Sequence, residues 1–520
     1  MTTSDNTPAS TIRALRPHLP GRVPLSELGA GLDLQIPAGA ADLGIIDIEL
    51  DSRAAGDGSL YVGLPGTRTH GARFAGQAAA QGAVAVLTDP EGARLAEGQG
   101  IPVVVAADPR HAMALLAARL FGEPAQHLLM LGLTGTNGKT TTAFLVEAAL
   151  AAAGLHVGTI GTNGFRLDAR TLPSSRTTIT TPESSDLQAL LAVMRQGGAA
   201  AVVMEASSVA LYQERVDGVY FDVAGFTNLG RDHLDFHKTQ EAYFEAKAKL
   251  FTAAMCRRAV INADDPWGRI LVERARSAGA PEVVTTGFDA GRDYRVLSFE
   301  PNEQGGEHIE LDAAGRRLGI DIALPGRYNV ANAATCVAMI DQAGIDLDQA
   351  VPGMAHAQVP GRMQRVHLGP GAPRVYVDFA HTPQAVESAL SALHGRTIVV
   401  LGAGGDRDKA KRVPMGDIAA EHADVVVVTD DNPRSEDPAA IRAELLRGAA
   451  GHPGVEVLDG GDRSHAIGMA LRLAGPDDAL AVLGKGHETT QEIEGVRHPF
   501  DDVAEVTRQW AQLHSEPKGH

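Results

Sequence analysis

Residues 127–154 constrain the fold of this chain more than any other segment; they read "HLLMLGLTGTNGKTTTAFLVEAALAAAG". An apolar run, a loop with two glycines and an alanine-rich run follow in that order, which is typical of the strand, loop and helix of a parallel α/β sheet. Gly135 and Gly138 let backbone N–H groups converge on a phosphate. Lys139 supplies a cation, and Thr140 offers a hydroxyl to a metal ion. The segment therefore predicts a phosphate-binding loop.

The loop departs from the full P-loop pattern, which would place its first glycine at Leu133. A plain glycine turn is the alternative interpretation, but the order of strand, loop and helix favours nucleotide binding. The residues predicted to bind the nucleotide here are Gly135, Thr136, Asn137, Gly138, Lys139, Thr140 and Thr141.

The same alternation of strand and helix continues through most of the 520 residues, a length that corresponds to about three domains. We predict an α/β fold with three domains. A small α/β domain spans 1–126, a P-loop domain with a mostly parallel sheet spans 127–359, and a Rossmann-like doubly wound domain spans 360–520.

Composition excludes several classes of partner. The net charge of -18, from 46 basic and 64 acidic residues, argues against nucleic acid or an anionic membrane as the main partner. The two cysteines, Cys256 and Cys336, lack metal-type spacing and fit a reducing compartment. A polar N-terminus and the absence of an unbroken apolar stretch of about 18 residues predict a cytoplasmic protein without membrane insertion.

Ionisable residues follow several of the predicted strands, at the edge where parallel sheets bind their ligands. In the central region Glu205 ends the strand of "VVMEASS", and His233 lies in "NLGRDHLDFH". An ordinary helix-start carboxylate and a surface histidine are the alternative interpretations. Together with Thr140, these two residues are suited to hold two magnesium ions around a γ-phosphate.

Ten motifs occur in an order that resembles the Mur ligases of peptidoglycan synthesis, most closely the branch that adds the third residue of the stem peptide. The resemblance runs from "LDSR" at Leu50 to "GKGHE" at Glu488. The motifs are "GTNGKTTT", "EASS", "FTNLGRDHLDFH", "YFEAKAKLF", "GRYNVANAA", "PGRMQRV", "VDFAHTP", "GAGGDRDKAKR", "DDNPR" and "GKGHE".

The resemblance implies an ATP-dependent ligase in peptidoglycan precursor synthesis. Such an enzyme phosphorylates a carboxylate, and an amine then attacks the acyl phosphate to give an amide, ADP and phosphate. In this branch meso-diaminopimelate joins the D-Glu carboxylate of UDP-MurNAc-L-Ala-D-Glu. The implied catalytic residues are Lys139, Glu205, His233 and Lys247. The implied metal ligands are Thr140, Glu205, His233 and Lys247, the last as a carbamate formed from carbon dioxide.

The resemblance also implies three sets of ligand contacts. Asn329, Arg362 and Asp378 would contact ATP, with Asp378 brought in by domain closure. The N-terminal domain would hold the UDP end through Leu50 and Ser52, with residues 67–69 at another uridine position. The peptide end would meet Thr180, Thr181, Ser207, Gln213 and Arg215, where Arg215 would pair with the acidic substrate. Ile179, Val209 and Ala210 depart from the family pattern.

The amino-acid substrate would bind the C-terminal domain. Meso-diaminopimelate and lysine differ by one carboxylate, and the planar guanidinium of Arg434 is shaped to grip a carboxylate with two hydrogen bonds. The implied contacts are Arg407, Asp431, Asn432, Pro433, Arg434, Gly484 and Glu488.

Alternative functions stay open at this point. Within the ligase class they are a lysine-adding relative, the ligase of the final dipeptide step and a folylpolyglutamate-type synthetase. From another class, a P-loop kinase or a nucleotide-gated regulatory protein would account for the loop. The discriminating feature is the second charged sheet edge after residue 360, which a simple kinase would not need. We expect a monomer.

Overall fold

The computed structural model describes residues 15–173, 180–279, 281–303 and 305–515. The chain divides into two compact units. The first contains residues up to Val296 together with Leu311–Leu318 and Ala331–Met354. The second contains Leu297–Glu310, Gly319–Val330 and the chain from Ala355 onward.

The N-terminal part of the first unit is built on a five-stranded sheet. Its first strand is antiparallel and the others are parallel. Asp89 and Asp108 cap two of its helices, each followed by a proline that cannot donate a backbone hydrogen bond. The strands, in spatial order, are Leu34–Gln35, Val103–Ala106, Ala83–Thr88, Ser59–Gly63 and Asp47–Glu49, and the helices are Leu25–Leu28, Ala75–Ala80, Pro90–Ala96 and Pro109–Leu120.

An eleven-stranded sheet carries the phosphate-binding loop. The pairings from Val157–Gly161 across to Tyr294–Pro301 are all parallel, so these strands end at one edge. The spatial order is Arg170–Thr171, Gly164–Leu167, Val157–Gly161, Ala201–Glu205, Leu129–Thr134, Phe221–Phe226, Cys256–Asn262, Glu282–Gly287, Tyr294–Pro301, Glu307–Ala313 and Arg316–Ile322.

Helices connect these strands as the alternation in sequence predicts. The helix Lys139–Ala152 begins directly after the glycine loop, with an apolar side that packs on the sheet. The others are Ser184–Gln196, Ser208–Tyr212, Leu234–His237, Gln240–Ala248, Pro266–Ser277, Arg327–Gln342 and Leu347–Ala350.

The second unit contains a six-stranded sheet with one antiparallel edge strand. The strand Val425–Asp430 is buried on both faces, with Val426 and Val428 in one apolar cluster and Val425 and Val427 in another. Burial on both faces explains its unbroken valine run. The strands, in spatial order, are Gln364–Val366, Arg374–Asp378, Ala479–Leu483, Thr397–Ala403, Val425–Asp430 and Glu456–Gly461.

Helices and one hairpin complete the second unit. The hairpin joins Thr490–Ile493 to Val496–Pro499 and was not predicted. The helices are Pro383–Ser391, Arg412–His422, Pro438–Ala449, Arg463–Leu473 and Asp502–Ser515.

These sheets confirm the predicted fold class, with a P-loop-type parallel sheet followed by a doubly wound C-terminal sheet. The boundaries near residues 126 and 359 stay predictions. Within the described residues, no helix combines the length and the apolar character needed to cross a membrane.

Candidate active site

The glycine loop has a backbone that only glycine adopts without strain. Gly135 and Gly138 have φ angles of 154° and 86°. A Cβ atom at Gly135 would lie 1.9 Å from Thr227 Oγ1, and one at Gly138 would lie 2.3 Å from Asn332 Oδ1. The tight packing therefore fixes the loop immediately before the helix Lys139–Ala152.

The neighbouring strand end braces this loop. The backbone N–H of Asn137 donates to Asn228 Oδ1 at 3.0 Å, and Thr227 Oγ1 donates to the Asn137 carbonyl at 2.6 Å. Thr136 is held from the other side, because its hydroxyl lies 3.1 Å from the hydroxyl of Tyr243. The strand end and the helix that carries Tyr243 thus hold the predicted phosphate-binding residues in place.

Two lysines meet at the base of the loop. The Lys139 ammonium donates to the carbonyl oxygens of Gly135 and Thr136, both at 2.9 Å. Lys247, with 1% of its surface exposed, donates to the same Gly135 oxygen at 2.8 Å and lies 4.6 Å above the ring centre of Tyr243. Burial, reinforced by the charge of Lys139, lowers the pKa of Lys247 well below its ordinary value. Lys247 is therefore suited to be a neutral amine.

The carboxylate of Glu205 lies beside the start of the P-loop helix. It is 1% exposed and accepts hydrogen bonds from Thr140 Oγ1 at 2.9 Å, from the backbone N–H of Thr162 at 3.0 Å and from Thr162 Oγ1 at 3.1 Å. A carboxylate has about four acceptor positions, so these bonds orient Glu205 and leave capacity for a cation. Thr162 was not predicted, because its role depends on a strand pairing that places it beside Glu205.

His233 lies on an exposed loop. Its side chain is half exposed, its Nε2 atom lies 3.5 Å from Asp232, and its ring packs edge-on to Tyr243 at 6.2 Å. The predicted metal ligands thus fall into two groups, Thr140 with Glu205 and His233 with Lys247, the second group joined through Tyr243.

The oxygen ligands near the glycine loop fit magnesium better than a metal ion that needs all of its ligands from the protein. In the described part of the chain, no group of three or more His, Cys, Asp or Glu side chains is arranged to hold a metal ion. Mg²⁺ usually binds through one or two carboxylates and the phosphates of its substrate, and keeps several waters. The hydroxyl of Thr140 beside the carboxylate of Glu205 matches that requirement.

The residues predicted for the peptide end come together beside Glu205. Thr181 Oγ1 donates to the carbonyl of Glu205 at 2.8 Å and accepts from the N–H of Ser207 at 3.1 Å. Arg215 donates to the Thr181 carbonyl at 3.1 Å and to Gln213 Oε1 at 2.8 Å. These contacts join four of the predicted residues into one cluster.

Arg215 differs from the prediction in its charge partner. Its guanidinium pairs with Glu183 at 2.9 Å, so the chain itself supplies the acidic group expected from the substrate. The Nε atom of Arg215 is buried without a hydrogen-bond acceptor. Thr180 Oγ1 lies 3.2 Å from Thr162 Oγ1, which extends the cluster toward Glu205.

The other predicted contacts to the nucleotide-sugar peptide are more scattered. Ser52 donates to Gln77 Oε1 at 3.0 Å, and Leu50 packs against the N-terminal apolar core. Residues 67–69 lie in an exposed loop, and Val209 and Ala210 lie in the helix Ser208–Tyr212. Ile179 lies outside the described residues.

The remaining predicted ATP contacts belong to the second unit, whereas the glycine loop belongs to the first. Asn329 is buried and donates to the Pro325 carbonyl at 2.8 Å. Arg362 stacks over Phe379 at 4.8 Å. Asp378 accepts two backbone hydrogen bonds, and burial raises its pKa although Arg362 opposes the shift.

A second polar cluster forms at the carboxyl edge of the C-terminal sheet. Asn432 Nδ2 donates to Asp431 Oδ1 at 3.0 Å and to Glu488 Oε2 at 2.8 Å. A Cβ atom at Gly484 would lie 2.4 Å from Asp431 Oδ2, so this position requires glycine. Two carboxylates and an amide, all predicted from sequence, therefore lie together.

Two guanidinium groups lie beside that cluster. Arg434 Nη1 donates to the Gly405 carbonyl at 2.6 Å, and its Nε atom lies 3.9 Å from Glu492. Both Arg434 and Arg407 approach Gly404. Arg434 has a φ of 53°, and Pro433 accepts the N–H of Glu436 as the turn leads to the helix Pro438–Ala449.

The unpredicted hairpin fixes this turn. The N–H of Arg434 donates to the Glu492 carbonyl at 3.0 Å, and the N–H of Glu494 donates to the Arg434 carbonyl at 2.7 Å. Gln491 Nε2 donates to the Asp431 carbonyl at 2.6 Å. The exposed, polar sequence of the hairpin carries little periodicity, whereas "GKGHE" just before it could have drawn attention to Lys485.

Family models cover most of the chain in three segments. The "Mur ligase family, catalytic domain" matches residues 45–120, the "Mur ligase middle domain" matches 133–340, and the "Mur ligase, glutamate ligase domain" matches 361–486. The chain belongs to the Mur ligase family and is an ATP-dependent ligase that forms amide bonds.

Individual relatives show which members of the family this chain is similar to. A UDP-N-acetylmuramoyl-L-alanyl-D-glutamate–2,6-diaminopimelate ligase of Streptomyces coelicolor is 46% identical over 94% of this chain and 96% of its own length. A UDP-N-acetylmuramyl-tripeptide synthetase of Leifsonia xyli is 42% identical over 94% and 96%. A solved structure of a 2,6-diaminopimelate ligase is 32% identical, with a TM-score of 0.71 over 95% of this chain and 99% of that one.

Proposed function

We propose that this protein joins meso-diaminopimelate to the D-Glu carboxylate of UDP-MurNAc-L-Ala-D-Glu, with conversion of ATP to ADP and phosphate. The observation that carries the proposal is the meeting of Asp431, Glu488 and Arg434 at one sheet edge. One end of diaminopimelate offers both an ammonium and a carboxylate, which match acidic and guanidinium groups. The relative of Streptomyces coelicolor bears the name of this reaction.

The reaction needs activation because a carboxylate has a poor leaving group. An oxygen of the D-Glu carboxylate attacks the γ-phosphorus of ATP, and the bond to the β-phosphate oxygen breaks to release ADP. The neutral amine of diaminopimelate then attacks the acyl carbon, loses a proton and expels phosphate. Both steps are made faster by positioning and by stabilisation of anionic oxygens.

The glycine loop is suited to bind the ATP phosphates. Its two glycines adopt positive φ angles without strain and hold the backbone close to a phosphate, and Lys139 lies where a cation offsets the charge of transfer. Thr140 and Glu205 would hold Mg²⁺ on the side of the helix start. Bound Mg²⁺ supplies charge neutralisation of the phosphate oxygens.

Lys247 is suited to carry a carbamate. Its Nζ would form a bond to the carbon of carbon dioxide and lose a proton, which turns a buried amine into an anionic oxygen donor. The support is the burial that lowers the pKa of Lys247, because only the neutral amine reacts. Exposed Lys249, two positions along, lacks that burial. We propose that His233 binds the same metal ion as the Lys247 carbamate, because both residues contact the ring of Tyr243.

Arg434 is proposed to select diaminopimelate over lysine. Its guanidinium bonds the Gly405 carbonyl with Nη1, and its contact with Glu492 is long, so a substrate carboxylate competes with a weak partner. Lysine would leave Arg434 without that carboxylate, which favours the diacid by about 1.4–2.7 kcal/mol, equivalent to about 10- to 100-fold.

The other assignments stay proposals of the same function. Thr180, Thr181, Ser207, Gln213 and Arg215 would meet the peptide end, Leu50 and Ser52 the UDP end, and Asn329, Arg362 and Asp378 the nucleotide. We also propose that the protein acts in the cytoplasm and is a monomer.

Phosphate release tests the proposal. Purified protein with Mg-ATP should release phosphate only when UDP-MurNAc-L-Ala-D-Glu and meso-diaminopimelate are both present. If ¹⁸O is placed in the D-Glu γ-carboxylate, one label should appear in the phosphate, because that oxygen leaves with phosphorus. Release without the amino acid, or unlabelled phosphate during ligation, would contradict the acyl-phosphate route.

A further inference from the structure

Lys485 is a fully buried cation in the second unit, with 0% of its surface exposed. Its ammonium donates to the Thr490 carbonyl at 2.5 Å and to Glu488 Oε2 at 3.2 Å, and lies 3.5 Å from Asn432 Oδ1. Three acceptors thus face the three N–H groups of one ammonium. A lysine is rarely buried unless its charge is paired, because burial of a charge is costly. The question is therefore what the buried Lys485 does in this cluster.

Lys485 and the backbone N–H of Glu492 together determine which way the amide of Asn432 faces. Asn432 Oδ1 is directed at two donors, the Lys485 ammonium and the backbone N–H of Glu492 at 2.9 Å. A reversed amide would set its NH₂ group against both donors. Nδ2 must therefore point the opposite way, where it bridges the carboxylates of Asp431 and Glu488.

The bridged carboxylates form one anionic surface. Two carboxylates that share an amide repel each other, and a nearby cation reduces that repulsion. Lys485 pairs directly with Glu488, while Gly484 allows Asp431 to approach the backbone closely. The remaining acceptor positions of both carboxylates are suited to an ammonium group.

We propose that Lys485 is a positioning residue for the amino-acid substrate. It orients Asn432 and Glu488, so that Asp431 and Glu488 together accept the substrate ammonium. Lys485 itself does not touch the substrate, because its N–H groups are used within the cluster. The inference rests on the proposed function and adds a specificity element for it.

The test compares Lys485→Met with Lys409→Met in the full-length protein. Lys409 is a largely exposed lysine of the same unit, paired with Glu436, and serves as the control. In Lys485→Met the KM for meso-diaminopimelate should rise about tenfold or more, whereas kcat and the KM values for ATP and the nucleotide-sugar peptide should change less than about threefold. Lys409→Met should leave all constants within about twofold.

A second variant keeps the test decisive if Lys485→Met does not fold. Asn432→Asp retains an acceptor toward Lys485 but loses the bridging NH₂ group, so it should raise the same KM and no other. The double variant Lys485→Met/Glu488→Gln should be less impaired than the product of the single effects, because both act on one ammonium site.

The outcomes separate the two claims. A wild-type protein that releases no phosphate with both substrates would contradict the proposed function. An active wild-type protein whose Lys485→Met and Asn432→Asp variants keep the KM for diaminopimelate would overturn the role of Lys485. An equal rise in all three KM values would do the same, because it would mark a general structural defect.

Discussion

The side-chain nitrogens of Lys139 and Lys247 converge on a single acceptor, the carbonyl oxygen of Gly135, at 2.9 and 2.8 Å. Two like charges around one buried oxygen are unfavourable, and burial already disfavours the charged form of Lys247. The arrangement therefore keeps one cation for phosphate, at Lys139, and favours the neutral amine at Lys247.

Replacement of Lys247 by Met should abolish turnover but raise stability at neutral pH. Burial lowers the pKa of folded Lys247, so between that lowered pKa and 10.5, the ordinary pKa of lysine, the unfolded chain binds more protons than the folded protein and the wild type loses stability as the pH falls. The Gly135 carbonyl keeps Lys139 as its donor in the variant. We expect the Tm to rise by about 2–4 °C, equivalent to about 1 kcal/mol.

The measurement uses Trp267 fluorescence in a Trp510→Phe background, in the absence of ATP and with carbon dioxide excluded. Trp267 packs on Phe244, in the helix that carries Lys247. The stability difference should shrink as the pH rises toward 10.5. A variant that is less stable than wild type at pH 7 would argue that Lys247 is charged in the folded protein.

Replacement of Glu205 by Gln should weaken the response to magnesium. The amide keeps the shape of the side chain but removes the charge, and its NH₂ group cannot accept from Thr140 or Thr162. We expect the Mg²⁺ concentration for half-maximal rate to rise and kcat to fall about 100-fold. Thr162→Val, which removes one hydroxyl donor, should cause a rise of about tenfold in the half-maximal Mg²⁺. If the Mg²⁺ concentration for half-maximal rate stayed unchanged in both variants, Glu205 would not hold the magnesium ion.

Replacement of Arg434 by Lys should reduce the discrimination between diaminopimelate and lysine. A point charge loses the paired geometry of the guanidinium, so kcat/KM for diaminopimelate should fall about 100-fold while the KM for ATP stays within about twofold. Glu492→Gln is the matched variant. Removal of its competing charge should leave binding of diaminopimelate equal or tighter. If Arg434→Lys weakened the binding of ATP and of diaminopimelate equally, Arg434 would not be a contact of the amino-acid substrate.

Arg463 and Asp502 form a fully buried ion pair with two hydrogen bonds of 2.7 Å. Arg463→Met should reduce the unfolding free energy of the second unit by about 3–5 kcal/mol, because it leaves Asp502 as an unpaired buried charge. The double variant Arg463→Met/Asp502→Leu should recover much of this loss. Trp510 fluorescence in a Trp267→Phe background follows this unit, and half-exposed Arg396→Met, which should lose less than about 1 kcal/mol, is the control. An equally destabilised double variant would contradict the argument.

Sequence alone located the parts of the site where local chemistry is strong. Gly135 and Gly138 reveal a loop because few other residues adopt its backbone. Glu205, Asp378 and Asp431 end or follow strands of parallel sheets, and sheet geometry alone places such residues at one edge.

Contacts between residues far apart in the chain were not predictable in the same way. Thr162 contacts Glu205, which lies 43 residues further along the chain. Glu183 forms an ion pair with Arg215, and the sequence does not reveal the fold of the segment between them. The sequence does not indicate that Lys485 is buried, because one of its partners, Asn432, lies 53 residues away in the chain. The hairpin at residues 490–499 lacks the alternation of apolar and polar residues that is typical of strands, so the hydrophobic pattern of the sequence does not reveal this hairpin.

The central claim is tested most directly by the identity of the product. Purified protein should be given Mg-ATP, UDP-MurNAc-L-Ala-D-Glu and an equimolar mixture of meso-diaminopimelate and L-lysine, and the product should be analysed by mass spectrometry. We predict that at least about 90% of the product is the diaminopimelate tripeptide, because lysine lacks the carboxylate for Arg434. A product that is mainly the lysine tripeptide, or a mixture in equal parts, would contradict the account.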